Sequence, residues 1–187
     1  GGAEQRGGGH DGRRGPGIHA EQAGVGERIA GQGAENLIAD LEERFAAFRD
    51  SHPELQGKTA LVVDAGTAPR SYYPFASTDP RGQFLGELGF AGSREIDRLA
   101  QNGFGAEISS ERVDLLDVDY LFLLIDPGAR RRLDDDPLFN RLKVARKGNV
   151  ISLPYYSSTQ IGAAMAFNTV LSIPYALQGI GEAIDSR

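Results

Sequence analysis

The sequence contains no cysteine, which excludes disulfides, thiolate nucleophiles and cysteine-held metals. Histidine is nearly as scarce. Its three copies, His10, His19 and His52, all precede Pro53, and neither imidazole nor thiol follows. That argues against a zinc or copper site and against most nucleophile–histidine arrangements, leaving carboxylate sites for hard cations. Long hydrophobic runs are also missing. The longest strongly apolar run, Tyr120 to Ile125, is far too short to cross a bilayer, and no signal-peptide pattern is visible. Positive charge is in deficit, with 20 Lys and Arg against 26 Asp and Glu and a net charge of −6. The basic residues form no long stripe, so nucleic acid is not an expected partner. The triplet Arg130-Arg131-Arg132 is followed closely by Asp134-Asp135-Asp136 and reads as a solvated turn with local charge pairing. The aspartates lack the alternate spacing and distal glutamate of a calcium loop.

Glycine is abundant but unevenly spread. Residues 1–33 hold 12 of the 25 glycines and carry no apolar periodicity. Such a segment buries too little surface to offset its ordering entropy and is expected to be disordered or artefactual. The chain opens on Gly1 and its one methionine is Met165, so a native start is expected upstream. About 150 residues remain, which suits one domain with a single core.

Those residues alternate between helical and strand patterns. Leu37, Leu41, Phe45 and Phe48 fall at helical spacing and predict a helix over 35–50, with Pro53 at its exit. Leu61-Val62-Val63 is the continuous apolar run of a strand buried on both faces, within 58–65. Asp79-Pro80 is a strong helix start, the acid as N-cap and the proline at the first helical position. That helix ends near Leu88 with Gly89 as its cap, and Gly86 and Gly89 are read as close-packing and capping glycines. Ser93 caps a short helix through Leu99, Ala106 to Ile108 is a short strand, and Ser109 or Ser110 opens a helix through Leu116. Residues 119–125 form the clearest strand. Asp136-Pro137 opens a helical turn through Arg141, Asn149 to Leu153 is another strand, and 170–184 reads as helix. This order predicts an α/β fold, a three-layer lobe with a mostly parallel sheet flanked by helices.

The stretch after the first strand draws attention. Tyr72, Tyr73 and Phe75 read as a loop leading to the helix opened by Asp79-Pro80, and open α/β sheets bind ligands at the carboxyl ends of their strands. Arg81 sits in that helix's first turn, where backbone N–H groups also favour an anion. It is equally suited to pairing with Asp79 or Glu87. Strand alternation would send some of the three aromatics into the core. Tyr155 and Tyr156 follow the last strand, and Ser157, Ser158 and Thr159 could donate hydrogen bonds.

Four stretches carry a family resemblance. They are Asp79-Pro80-Arg81-Gly82-Gln83-Phe84-Leu85 with Leu88-Gly89-Phe90; Glu107-Ile108-Ser109-Ser110-Glu111 with Leu115-Leu116-Asp117-Val118-Asp119; Asp136-Pro137-Leu138-Phe139 with Val144-Ala145-Arg146-Lys147-Gly148-Asn149-Val150; and Leu171-Ser172-Ile173-Pro174-Tyr175-Ala176-Leu177. In this order they resemble the C-terminal lobe of iron–siderophore ABC transporter substrate-binding proteins, whose two α/β lobes are joined by one long helix. The resemblance implies that 34–52 is the end of that helix and 53–187 the C-terminal lobe, with no counterpart of the N-terminal lobe. It also implies a monomeric, exported protein, periplasmic or lipid-anchored at the cell surface. Such a protein takes up a ferric siderophore, without chemistry or cofactor, and delivers it to permease subunits.

On that view the ligand contacts are Tyr73 and Arg81 first, then Tyr72, Phe75, Tyr155, Tyr156 and Asn168, the last standing where the family commonly has serine. Glu87, Glu95 and Glu111 would dock on the permease. The cargo's iron arrives already chelated, so the protein needs aromatic surface and outer donors rather than metal ligands. Two other readings stand beside this one. The first is a cobalamin- or haem-binding protein of the same class. The second is a small α/β enzyme using Asp64, Asp79 or Glu107, although no histidine partner or phosphate-binding glycine loop accompanies them.

Overall fold

The computed structural model describes residues 17–65, 71–101, 103–155 and 159–187, with backbone alone for 17–30 and 32. The chain divides into two units, Gly1–Ile38 and Ala39–Arg187. The described part of the first unit is helical. It belongs to helix α1, Gly17–Ser51, which begins well before the start predicted at residue 35. Alanine, glutamate, glutamine and arginine between the glycines are good helix formers, which accounts for the earlier start. The apolar stripe of α1 is exposed at Leu37 (49 %) and buried in the second unit at Leu41, Phe45 and Phe48.

The second unit is built on a five-stranded sheet. Its strands are β1 (Ala60–Asp64), β2 (Ser71–Pro74), β3 (Ile108–Ser109), β4 (Tyr120–Leu124) and β5 (Val150–Leu153). Their order in space is β3-β2-β1-β4-β5. β1, β4 and β5 pair in parallel. β2 runs against both β1 and β3. Four strands therefore point one way and β2 alone points back, which makes the sheet mixed but mostly parallel. The connections use helices α2 (Pro80–Glu87), α3 (Arg94–Leu99), α4 (Pro127–Asp134), α5 (Lys143–Arg146), α6 (Ile161–Phe167) and α7 (Ile173–Asp185). Short 3-10 turns occupy Pro53–Leu55, Ser110–Leu116 and Phe139–Arg141.

Alternation along the strands divides the core. Val62, Phe122, Leu124, Ile151 and Leu153 face α2, α6, α7 and the end of α1. Leu61, Val63, Leu121, Leu123 and Ile125 face the other layer, with Ile96, Val113 and Val144. Both faces of β1 and β4 are thus covered, as continuous apolar runs require. Asp119 locks the start of β4 to β1 by accepting the Thr59 N–H (2.9 Å) and hydroxyl (2.8 Å). Those bonds, the backbone one first, hold its carboxyl below the usual range.

Several helix ends follow the sequence closely. Asp79 caps α2 by accepting the Arg81 N–H at 3.0 Å. Gly89, at φ +95°, turns the chain out of that helix, a conformation that side chains with a Cβ rarely adopt. Gly86 is different. A Cβ there would meet nothing within 4 Å, so it is not a close-packing glycine.

Three elements depart from expectation. The segment read as an aromatic loop is strand β2. The basic triplet lies in helix α4, not in a turn, although the anticipated charge pairing is there, with Arg130 donating to Asp134 at 2.8 Å. Ser110–Leu116 is a 3-10 turn instead of an α-helix.

Candidate functional site

The site candidates gather around β2 and the first turn of α2. Because β2 is a strand, its pleat sorts the aromatics. Tyr72 points into the second core face and is 5 % exposed, with its hydroxyl 3.5 Å from Asp136. Burial, with Asp136 nearby, pushes that phenol up to about 12. The position first read as a ligand-facing loop residue is therefore a core residue. Tyr73 and Phe75 share the opposite face, their rings 5.3 Å apart and edge to face. Phe75 is buried, whereas Tyr73 is half-buried and lies opposite Asp64, the last residue of β1. Tyr73 thus stands at the carboxyl end of the central strand.

Arg81 completes the cluster. Its guanidinium lies 3.5 Å from the centroid of the Phe75 ring. Its Nε and Nη2 donate to the two carboxylate oxygens of Asp79 at 2.6 and 2.8 Å. Asp79 is 1 % exposed, while the Arg81 side chain keeps 23 % of its surface. Of the two roles open to Arg81, the structure shows the pairing with Asp79. The same carboxylate caps the helix start, so the protein's own acid supplies the negative charge that this helix N-terminus attracts.

Beside Tyr73 lies an open groove of about 440 Å³, lined by Tyr73, Leu99, Gln101, Gly105, Ala106 and Glu107. Gly105 lets the two walls approach. A Cβ there would come within 2.5 Å of the Pro74 carbonyl oxygen and 2.6 Å of the Tyr73 ring. Glu107 is exposed and accepts the Ser71 hydroxyl at 2.8 Å. The adjoining Phe104 is exposed, and its carbonyl accepts the Ala76 N–H. Sequence reading missed Leu99, Gln101 and Gly105 as lining residues. The available signal was Gly103-Phe104-Gly105, an aromatic flanked by glycines just before a strand.

The remaining candidates are scattered. Tyr155 is half-buried and packs on the first core face just beyond β5. Tyr156, Ser157 and Ser158 lie outside the described residues. Asn168 adopts the left-handed conformation at the end of α6, and Gly162, in the first turn of α6, abuts the Leu153 carbonyl of β5. Glu87, Glu95 and Glu111 are all exposed, on the last turn of α2, the first turn of α3 and the 3-10 turn.

A carboxylate-based active site finds little support. Asp79 is committed to Arg81 and buried, and Glu107 is engaged by Ser71. Among the described residues no group of three or more His, Cys, Asp or Glu side chains could hold a metal ion, and no helix is long and apolar enough to cross a membrane.

No family model matches the chain, and no curated protein matches it. Solved structures do. PiaA of Streptococcus pneumoniae TIGR4, in complex with ferrichrome, matches 81 % of this chain with 52 % of its own, at TM-score 0.68 and 24 % identity. The chain has the fold of one lobe of such a binding protein. The siderophore periplasmic binding protein from the fuscachelin gene cluster of Thermobifida fusca matches 84 % of this chain with 55 % of its own, at TM-score 0.63 and 22 % identity. FhuD2 from Staphylococcus aureus, with bound ferrioxamine B, matches 87 % with 62 %, at 0.62 and 18 %. The chain spans about half the length of the first solved structures it matches. These neighbours are binding proteins.

Proposed function

We propose that this chain is the C-terminal lobe of the solute-binding component of an ABC importer, and that the whole protein closes on a ferric siderophore. Residues 34–52 are then the end of the inter-lobe helix, and 53–187 form the lobe. The observation that carries this reading is Tyr73, half-exposed at the carboxyl end of β1 beside an open groove, within a fold shared with siderophore-binding proteins. Carboxyl ends of strands are where open α/β folds bind ligands, and an aromatic face with a few polar donors suits the organic shell of a pre-chelated metal. Glu87, Glu95 and Glu111 are the exposed acids proposed to meet permease arginines. Export to the periplasm or cell surface follows from the same reading.

A lone lobe covers one side of its cargo, whereas ligand sites normally enclose most of theirs. Weak binding is therefore expected of this chain. Tyrosine emission, corrected for absorbance, should respond saturably to a ferric siderophore at concentrations well above micromolar, and not to cobalamin or haem. Saturation by haem or cobalamin alone, or turnover of an ester or phosphate, would contradict the proposal.

A further inference from the structure

We infer that the uncharged surface of α6, α7 and the link between them binds a second copy of this chain. The inference is independent of the siderophore reading. Aspartate, glutamate, lysine and arginine make up 25 % of the sequence, yet between Lys147 and Glu182 there is none of them, nor any histidine. The surface of a monomeric domain usually carries charges of both signs throughout. Here the run without charge is also where large apolar side chains are left outside. Phe167 (71 %), Val170 and Leu171 (82 %) stand out at the end of α6 and on the link, and Tyr175 is exposed on the first turn of α7. Such exposures on four side chains leave on the order of 400–500 Å² of apolar surface, the size at which a patch marks an interaction site.

Leu171 is also the rim of an adjoining groove of about 630 Å³, lined by Ala47 and Phe48 of α1 and by Pro174, Tyr175 and Leu177 of α7. The polar groups of the link are satisfied within one copy. The Thr169 N–H donates to the Ser172 hydroxyl at 2.9 Å, and the Ser172 N–H donates to the Thr169 hydroxyl at 3.2 Å. The Tyr175 hydroxyl donates to the Thr159 carbonyl. Covering these groups with apolar surface therefore strands none of them. Charge stands at the margin: Arg44, which donates to Asp40 at 2.7 Å, Glu43 beside it and, past Gln178, Glu182. An apolar centre with a polar margin is the anatomy of an interface. The occupant follows from the shapes. An apolar projection and an apolar groove lie side by side, so a two-fold rotation seats the projection of each copy in the groove of the other. A standard interface takes about 800 Å² from each partner, and this patch with the groove walls supplies its centre.

Sedimentation of the full chain from about 5 to about 500 µM tests this. The average mass should climb with concentration to that of two chains and level off there. Leu171→Asp should weaken pairing about tenfold or more, and Phe167→Ser should act in the same direction. Residue 171 is exposed and precedes the start of α7, where an acid is tolerated, so the melting temperature of the dilute, unpaired chain should not move. Leu138→Asp, at another exposed apolar position, should leave pairing as it was. Growth beyond two chains, or pairing unmoved by both Leu171→Asp and Phe167→Ser, overturns the inference. A chain that stays single at every concentration overturns it too, and flotation with uncharged phospholipid vesicles then separates a lipid face from a second lobe as the occupant.

Discussion

Arg81→Ala is expected to lower the stability of the chain by about 3 kcal/mol, because it strands a buried carboxylate. Asp79 is 1 % exposed and its two oxygens receive the Arg81 fork. Removing Arg81 leaves the backbone N–H of residue 81 as a donor to Asp79, but removes the counter-charge and the cation resting on Phe75. The charge then has to be neutralised or hydrated at the cost of local packing. Asp79→Asn should cost less, since asparagine is a good N-cap and carries no charge. The double variant Asp79→Asn/Arg81→Ala should recover a large part of the loss, a coupling that a denaturant-based double-mutant cycle reads directly. A loss under about 1 kcal/mol for Arg81→Ala would show that the pair is not the support of the first turn of α2. The consequence for binding studies is practical. Any affinity change in Arg81→Ala has to be separated from a fold change by measuring Asp79→Asn beside it.

Gly82→Ala is expected to destabilise by about 2–4 kcal/mol, through overpacking rather than propensity. A Cβ at residue 82 would sit 2.2 Å from the Ala76 carbonyl oxygen and 2.8 Å from the Ser77 Cα. Both neighbours are backbone, so no rotamer change relieves the clash, and the end of β2 has to separate from α2. That motion would pull Phe75 from beneath Arg81. Gly86→Ala, one turn further along the same helix, should do the opposite. Its Cβ meets nothing within 4 Å, and alanine is favoured over glycine in a helix by about 0.5–1 kcal/mol. Chemical denaturation of the two variants should therefore move the midpoint in opposite directions. Equal small shifts would contradict the close approach of β2 and α2.

The elements that sequence reading recovered carry chemistry local to themselves. Asp79-Pro80 is a cap followed by the residue that best begins a helix, and Leu61-Val62-Val63 needs burial on both sides wherever it lies. Gly89 needs its left-handed conformation only because a helix has just ended. What stayed hidden depends on partners distant in sequence. β2 is short, contains Pro74 and is rich in aromatics, so it reads as a loop until β1 and β3 are seen pairing with it from either side. The direction of Tyr72 and Tyr73 followed from that pairing, since adjacent strand residues face opposite ways. Arg81 had two carboxylates within reach in sequence, and only the bend between β2 and α2 selects Asp79. Helix α4 was obscured because its arginines and aspartates resemble a charged turn, while Leu133, the residue it buries, is a single apolar position. The groove beside Tyr73 joins residues 73 and 99–107, which no local pattern connects.

The claim on which the account turns is that a chelated metal rests against Tyr73 and its groove. Iron(III) broadens the resonances of nearby nuclei while gallium(III) in the same chelate does not, so paired spectra of the isotope-labelled chain locate even a weakly bound cargo. The account predicts iron-specific broadening concentrated at Tyr73, Gly105, Ala106 and Glu107. Broadening centred on α4 or α5, with these four residues unaffected, would contradict it.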